Sequence, residues 1–344
     1  MLSRREFVLG ANGVVLTFPF LGLIGCDDAD DELHHLKGKT MGTSYNVKLV
    51  PPSDGLDPDM LTARIDERLQ NVDQLMSTYR ATSDVSRFGA DPAGAPRSLA
   101  PATAEVVRVA LTIAEMTGGA FDPTIGPLVD LWGFGPGGAR PDLPRSGEIA
   151  AAMADVDYRK VTLSGETIAK AGAGTRLDLS GIAKGYGVDV VAAVLDAEGV
   201  ENYLVEVGGE VRTRGAPGQD RAWRLGIEEP TATSRDVYKV VDLTNQALAT
   251  SGNYRIFFEA DGRRYTHIVD PRSGHPVTHA LASVTVLAPT TIEADALSTA
   301  MLVLGPEDAM TFAEAHDVAA FLIARRNGAL VATASPAFDR QLAA

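Results

Sequence analysis

The stretch Leu177–Asp189, with the sequence LDLSGIAKGYGVD, constrains the fold of this 344-residue chain more than any other segment. Leu177–Leu179 is predicted to end a buried strand, which is followed by a serine–glycine turn. A helix is expected from Ile182, because apolar residues then recur at helical spacing. This arrangement presents unpaired backbone N–H groups that suit a phosphate, and Lys184 adds a positive charge. The alternative is an ordinary strand–helix connection with a surface lysine.

Residues 1–25 are predicted to be an export signal. Ser3–Leu9 resembles a twin-arginine signal, and the apolar stretch that follows is too short for a stable transmembrane helix. Leu23–Cys26 is similar to a bacterial lipobox, which predicts cleavage before Cys26 and lipidation of its thiol. The alternative is a plain N-terminal anchor helix. Asp27 resembles an inner-membrane retention signal, so we expect a lipid anchor on the periplasmic side of the cell inner membrane.

Composition and charge limit the domain organisation and the partners of the rest of the chain. Residues 26–37 are polar and acidic and are predicted to form a lipidated tether, although His34 and His35 within it also suit a metal. Residues 38–344 suffice for one large or two ordinary domains. Cys26 is the single cysteine, which excludes an intramolecular disulfide and a cysteine-based nucleophile. A net charge of −14 argues against nucleic acid as a partner.

Hydrophobic periodicity after residue 38 predicts helices first and strands later. Helices are expected from Leu61 to about Met76 and over Val106–Ala114. Strands are predicted at Thr40–Leu49, Asn202–Val207, Trp223–Ile227, Val237–Leu243, Arg264–Val269 and Ala282–Leu287. Asp261–Gly262 is predicted to be a hairpin turn. The fold class is therefore α+β, with a mixed, largely antiparallel sheet packed by helices and a change from helix-rich to strand-rich sequence near Gly174.

Two segments carry residues suited to chemistry. Phe121, Trp132 and Phe134 lie in a run rich in turn residues, where they either stack on a flat ligand or fill the core beneath a loop. Farther on, Thr290 and Glu293 fit a capping box that begins a helix. Asp295 and Thr299 then share one face of that helix. They are hard oxygen ligands of the kind that Mg²⁺ takes, or else they form a hydrogen-bonded pair.

Five motifs in order give the chain a strong resemblance to the FAD:protein FMN transferase family, often called ApbE. A single motif is weak evidence, but the ordered set extends from Met41 to about Gly305. The motifs occupy Met41–Tyr45, Ser77–Phe88, Gly118–Gly135, Leu177–Asp189, and Thr266–Gly274 together with Glu293–Ala300.

The resemblance implies roles for individual residues. The positions that match contacts to FAD are Met41, Tyr79, Ala120, Phe121, Asp122, Asp178, Lys184 and Ile268. A Mg²⁺ ion is implied at the backbone carbonyl of Gly181 and the side chains of Asp295 and Thr299. The chain departs from the family pattern at three positions: Gly181 and Gly187 stand where alanine is common, and Glu210 stands where aspartate is common.

The resemblance also implies an activity. FMN would pass from FAD to a threonine hydroxyl of an acceptor protein, releasing AMP, and the acceptor is expected to be an exported or membrane redox protein. Lys184 would stabilise charge on the leaving side, and His267 would act as general base, with Asp270 as the alternative. Residues 38–344 would form the transferase domain, with a T-fold-like core and a flavin cleft between two lobes. Two other functions remain open: a Mg²⁺-dependent FAD pyrophosphatase and a non-catalytic flavin-binding lipoprotein.

Overall fold

The computed structural model describes residues 6–7, 33–53, 55–140, 142–218, 221–231, 233 and 235–343. The helices are α1 (Pro58–Met76), α2 (Asp84–Ala90), α3 (Pro101–Met116), α4 (Gly126–Leu131), α5 (Ser146–Met153), α6 (Ala183–Ala197), α7 (Thr291–Leu304), α8 (Pro306–Ala315) and α9 (Pro336–Ala343). The strands are β1 (Glu6–Phe7), β2 (His34–Thr40), β3 (Thr43–Leu49), β4 (Arg97–Ser98), β5 (Val161–Ser164), β6 (Thr167–Lys170), β7 (Tyr203–Val207), β8 (Glu210–Arg214), β9 (Trp223–Glu228), β10 (Val237–Leu243), β11 (Ala247–Gly252), β12 (Phe257–Ala260), β13 (Arg263–Thr266), β14 (Val269–Asp270), β15 (His275–Pro276), β16 (Leu281–Ala288), β17 (Ala319–Arg326) and β18 (Ala329–Ala334).

An eight-stranded antiparallel sheet organises the fold, in the order β18-β17-β16-β11-β8-β7-β3-β2. Strand β16 is buried along its whole length because both faces of the sheet are covered. Its side chains alternate between two clusters, as strand geometry requires. Val284 and Val286 pack with residues of α7, whereas Leu287 packs with Trp223 and Phe338 on the opposite face.

Helices α1, α6 and α7 cover one face of the sheet, with α6 on β7 and β8 and α7 on β11 and β16. The predicted helix that ends at Met76 is confirmed as α1. It begins at Pro58, where Asp57 accepts hydrogen bonds from the backbone N–H groups of Asp59 at 3.0 Å and Met60 at 3.2 Å. The described part of the chain has no helix with the length and hydrophobicity to cross a bilayer.

The N-terminal region differs from the sequence prediction. Residues 34–37 belong to strand β2, which pairs with β3 along its whole length, so the tether cannot extend to Lys37. Leu36 is buried while its neighbours are polar, which concealed the strand in the sequence. The predicted strand Thr40–Leu49 is broken at Met41 and Gly42, which have positive φ angles of 45° and 73°. Apart from Glu6–Phe7, which pairs with β12, the predicted export signal lies outside the described residues, and so does Cys26.

The strand-rich part of the chain largely agrees with the prediction. The predicted strands are confirmed to within a few residues, except that Arg264–Val269 divides between β13 and β14. The hairpin turn is also confirmed, with φ of 52° at Asp261 and 70° at Gly262. The division near Gly174 does not separate two cores, because one hydrophobic cluster contains both Phe88 and Leu322.

Leu177–Leu179 is not a strand, contrary to the prediction. This segment is held instead by a hydrogen bond from the Asp178 backbone N–H to the Pro123 carbonyl at 2.8 Å. A single parallel bridge between Ile125 and Arg176 adjoins it. The predicted helix is confirmed as α6, with Ile182 at its N-cap. The motif therefore attaches to the loop before α4 rather than to a sheet.

Candidate active site

A cleft of about 1020 Å³ lies beside the first turns of α6 and α7. Its walls come from segments that are far apart in the sequence, including residues 77–80, 120–122, 178–181, 208–210, 250–252 and 254–256. The structure places in this lining every residue that was predicted to bind FAD or Mg²⁺, and the general base as well. These residues are Met41, Tyr79, Ala120, Phe121, Asp122, Asp178, Gly181, Lys184, His267, Ile268, Asp295 and Thr299.

Of the three aromatic residues singled out in Gly118–Gly135, two line the cleft and one fills the core. Phe121 and Phe134 line the cleft. Trp132 is buried and donates its indole N–H to the Gly274 carbonyl at 2.8 Å, so it fills the core beneath the loop. Tyr79 is 71% exposed in the wall of the cleft, which leaves its ring accessible to a flat ligand.

Lys184 lies between two buried carboxylates. Its ammonium Nζ is 3.3 Å from Glu210 Oε1 and 3.7 Å from Asp295 Oδ1. Burial alone would lower the pKa of Lys184, but the two carboxylates hold that pKa above its ordinary value. Burial raises the pKa of Glu210 and of Asp295, and the lysine charge opposes that shift. When all three groups are ionised, the cluster carries one net negative charge.

A tight turn before β8 brings Glu210 to this lysine. Gly208 has a φ of 60°, and a Cβ on it would lie 3.3 Å from Lys184 Cδ and 3.0 Å from Thr43 Cγ2. Glu206 holds the turn by accepting a hydrogen bond from the Gly209 backbone N–H at 2.8 Å. Glycine at position 208 therefore lets the side chains of Lys184 and Thr43 pack directly against the turn.

Oxygen atoms suited to a divalent cation gather around Asp295. This carboxylate is 2% exposed, and Thr299 Oγ1 lies 3.0 Å from Ser251 Oγ rather than bonding to Asp295. A Cβ on Gly181 would lie 3.3 Å from Thr299 Oγ1, so the backbone of Gly181 adjoins that hydroxyl. Glu210 Oε2 is buried and has no hydrogen-bond partner among the described residues. The Asp295 carboxylate, the Thr299 hydroxyl and the adjoining Gly181 backbone are hard oxygen donors of the kind that fits a divalent cation, and the unsatisfied Glu210 oxygen lies in the same cluster.

His267 is fixed in one tautomer by the backbone. Its Nδ1 lies 3.1 Å from the Ile256 carbonyl, and because a carbonyl only accepts, Nδ1 carries the proton. Nε2 is then left as an acceptor. Burial, together with the nearby charge of Lys184, lowers the pKa of His267 to about 4, against the opposing effect of the Ile256 carbonyl. The imidazole is thus neutral at pH 7 and able to take a proton.

Comparison with known proteins identifies the family. The ApbE family model matches residues 41–322. The chain belongs to the ApbE family. It is 41% identical to the FAD:protein FMN transferase of Vibrio cholerae, over 95% of this chain and 98% of that protein. It is 36% identical to the FAD:protein FMN transferase of Escherichia coli K12, over 94% of this chain and 95% of that protein.

Solved structures agree with this assignment. The flavin transferase ApbE from Vibrio cholerae superposes with a TM-score of 0.84 at 41% identity, covering 90% of this chain and 99% of that one. The apo form of the Pseudomonas stutzeri flavinyl transferase ApbE also gives a TM-score of 0.84, covering 91% of this chain and 97% of that one, again at 41% identity. The mixed α+β fold with its large antiparallel sheet is therefore the fold of ApbE proteins.

Asp270 is one predicted site residue of this ApbE protein that the structure does not bring to the cleft. It is absent from the cleft lining, and its carboxylate accepts hydrogen bonds from Arg272 Nε at 2.9 Å and Nη2 at 3.0 Å. The Arg272 backbone N–H donates to the same carboxylate at 2.9 Å. These bonds hold a surface turn, so the assignment of Asp270 as alternative base is not supported.

Asp122 and Asp178 line the cleft, but their carboxylates accept hydrogen bonds from backbone N–H groups of the protein. Asp122 accepts from the backbone N–H groups of Thr124 at 2.8 Å and Tyr158 at 2.9 Å. Asp178 accepts from the Ser180 backbone N–H at 2.9 Å. Burial raises the pKa of both carboxyls, and the hydrogen bonds oppose that shift. Both residues thus shape the cleft wall.

Sequence reasoning noticed Glu210 as a departure from the family but missed its contact with Lys184. It also missed Arg255 and Glu228, which line the cleft as an ion pair. A carboxylate directly after a diglycine, between two apolar strands, was a usable signal for Glu210. Arg255 had no local signal, because its partner lies on another hairpin.

Proposed function

We propose that this protein transfers FMN from FAD to a threonine hydroxyl of an acceptor protein and releases AMP. The observation that carries the proposal is a single large cleft in which a neutral histidine, a charged lysine and a buried oxygen cluster converge. Family membership supports it, because curated relatives that match nearly full length are FAD:protein FMN transferases. We further propose that FAD occupies this cleft, between two lobes on a T-fold-like core.

The residues divide the chemistry between them. His267 Nε2 is the acceptor for the proton of the attacking hydroxyl. Lys184, kept charged by Glu210 and Asp295, is suited to stabilise negative charge on the phosphates. Mg²⁺ would be held by the Gly181 carbonyl, Asp295 and Thr299, where it would neutralise the pyrophosphate and polarise the bond that breaks. Tyr79 and Phe121 provide aromatic surface for the flavin or adenine ring.

An acceptor assay tests this function. The full-length protein is incubated with FAD, Mg²⁺ and a flavin-acceptor domain, and covalent flavin fluorescence in a denaturing gel is compared with AMP release. We expect one AMP for each FMN attached, and none when a chelator removes Mg²⁺. AMP release without an adduct would identify a pyrophosphatase, and FAD binding without AMP would identify a binding protein. Mass spectrometry should find no FMN on the protein itself. The family's target motif is an Asp-Gly followed closely by a threonine within a run of small residues, and neither Asp54–Gly55 nor Asp261–Gly262 continues in that way.

We also propose that the mature protein is anchored by a lipid on Cys26 to the periplasmic side of the inner membrane. The lipobox-like Leu23–Cys26 supports this, together with the short stretch of residues 27–33 that separates the cysteine from β2. Cys26→Ser is expected to release the protein from the membrane fraction while activity on a soluble acceptor stays intact. Cell fractionation followed by the gel assay measures both. A variant that stays tightly membrane-bound would identify the apolar segment as an uncleaved anchor.

A further inference from the structure

The first turn of α7 is not capped by its own N-cap residue. Thr290 occupies the N-cap position, but its hydroxyl donates to Glu293 Oε2 at 2.8 Å and makes no bond to the helix backbone. The capping box predicted for these two residues is therefore absent. Because the first N–H groups of a helix need acceptors from outside it, α7 requires another partner.

Asp189 on α6 is that partner. Its Oδ1 accepts from the Thr291 backbone N–H at 3.1 Å, and its Oδ2 accepts from the Ile292 backbone N–H at 2.9 Å. Arg212 Nη1 lies 2.6 Å from Oδ1 and fixes the carboxylate in place. A carboxylate at this position also complements the positive end of the helix dipole. The start of α7 is thus set by a residue of α6.

Helix α7 in turn supplies a carboxylate to the N-terminus of α6. Asp295 on α7 accepts through Oδ2 from the Gly185 backbone N–H at 2.9 Å, in the first turn of α6. A Cβ on Gly185 would lie 2.3 Å from the Thr291 carbonyl oxygen, so only glycine permits the contact. Each helix therefore receives a carboxylate from the other at its N-terminus. Lys184 lies in the first turn of one of these helices, and Asp295 and Thr299 lie on the other.

We propose that Asp189 is a positioning residue that fixes Asp295 and Thr299 relative to Lys184 by capping α7 from α6. Asp189 is not part of the cleft lining, so it acts only through the helix that it caps. The inference rests on the proposed function, which assigns Asp295 and Thr299 to a divalent cation. Losing this cap lets the first turn of α7 shift, and the oxygen cluster then holds the cation less well.

Direct cation binding tests the proposal without reference to turnover. Mn²⁺ is titrated into the chelator-treated full-length protein, and the free ion is followed by electron paramagnetic resonance. We expect Asp189→Asn to raise the Mn²⁺ dissociation constant by roughly tenfold to a hundredfold, the usual effect of removing a residue that orients a metal ligand. Asp196→Asn is the matched control: this aspartate is also on α6 and pairs with Arg214 Nη1 at 2.6 Å, but it contacts β-strand residues and not α7. It should leave the constant within about twofold.

Rescue distinguishes positioning from a general loss of stability. Thr290→Asn supplies α7 with its own capping side chain, since asparagine is a preferred N-cap residue. Added to Asp189→Asn, it should restore most of the Mn²⁺ affinity. Equal Mn²⁺ affinity in Asp189→Asn and the wild type would overturn the inference, as would a wild type that binds no Mn²⁺. If the wild type binds Mn²⁺ and Asp189→Asn weakens it, but no FMN is transferred, the proposed function fails and the positioning role stands.

Discussion

Asp295→Asn is expected to leave a folded protein that releases almost no AMP. Asparagine keeps the size of the side chain and an oxygen that accepts from the Gly185 N–H, which now lies 2.9 Å from Asp295 Oδ2. Lys184 keeps its second partner, Glu210. The substitution weakens the binding of the cation that would neutralise negative charge in the transition state. That stabilisation is worth about 3–4 kcal/mol, or roughly a hundredfold to a thousandfold in rate.

Glu293→Gln is the matched control for this prediction. Glu293 lies in the first turn of the same helix but outside the cleft, and removing its charge costs at most about 0.3–1 kcal/mol of helix-dipole interaction. AMP release at saturating Mg²⁺ and the melting temperature are measured for both variants. If Asp295→Asn turned over like the wild type and lost only a little stability, Asp295 would be a structural hydrogen-bonding residue and the cation site would have to be sought elsewhere.

The features that the sequence predicted correctly depend on neighbours along the chain. The apolar residues of α1, from Leu61 to Met76, recur every three or four positions and lie on its buried face. The turn at Asp261–Gly262 follows from two residues that tolerate positive φ. Helix α6 begins where the glycine turn ends. In each case the residues that determine the structure lie within one turn or one hairpin.

The errors arose where the deciding partner lies far away in the sequence. Thr290 and Glu293 have the composition of a capping box, yet Asp189, about a hundred residues earlier, supplies the cap. Leu177–Leu179 has the composition of a buried strand but attaches to the loop at Pro123 instead of entering a sheet. Local pattern cannot choose between such alternatives, because the competing interactions differ only in tertiary contact.

The candidate site shows the same contrast between features that local motifs predict and contacts that depend on distant partners. Motifs shared with the ApbE family predicted which residues line the cleft, and the structure brings nearly all of them together. They did not predict that Glu210 would share Lys184 with Asp295, which depends on the turn at Gly208. Asp270 is an exception, because the partner that ties its carboxylate to a surface turn is Arg272, only two residues away.

The second large effect is expected from His267→Gln, which should lower FMN transfer by roughly a hundredfold to ten-thousandfold through loss of the general base. A glutamine amide can still donate to the Ile256 carbonyl, which now lies 3.1 Å from His267 Nδ1, so the loop should keep its conformation. FAD binding, measured by flavin fluorescence, should change little. His275→Gln is the control, because His275 is exposed, contacts Trp132 and lies outside the cleft.

The pH profile separates this role from a purely structural one. The pKa of His267, lowered to about 4 by burial, predicts that the imidazole gains a proton only as the pH falls through that value. The contribution of His267 to the acid limb of wild-type kcat/KM should therefore lie near pH 4 and not near 6.5, and His267→Gln should lose that contribution. Lys184 is the charged neighbour that acts on this group, and its ammonium stays protonated throughout that range. Wild-type transfer by His267→Gln would assign proton removal to another group in the cleft.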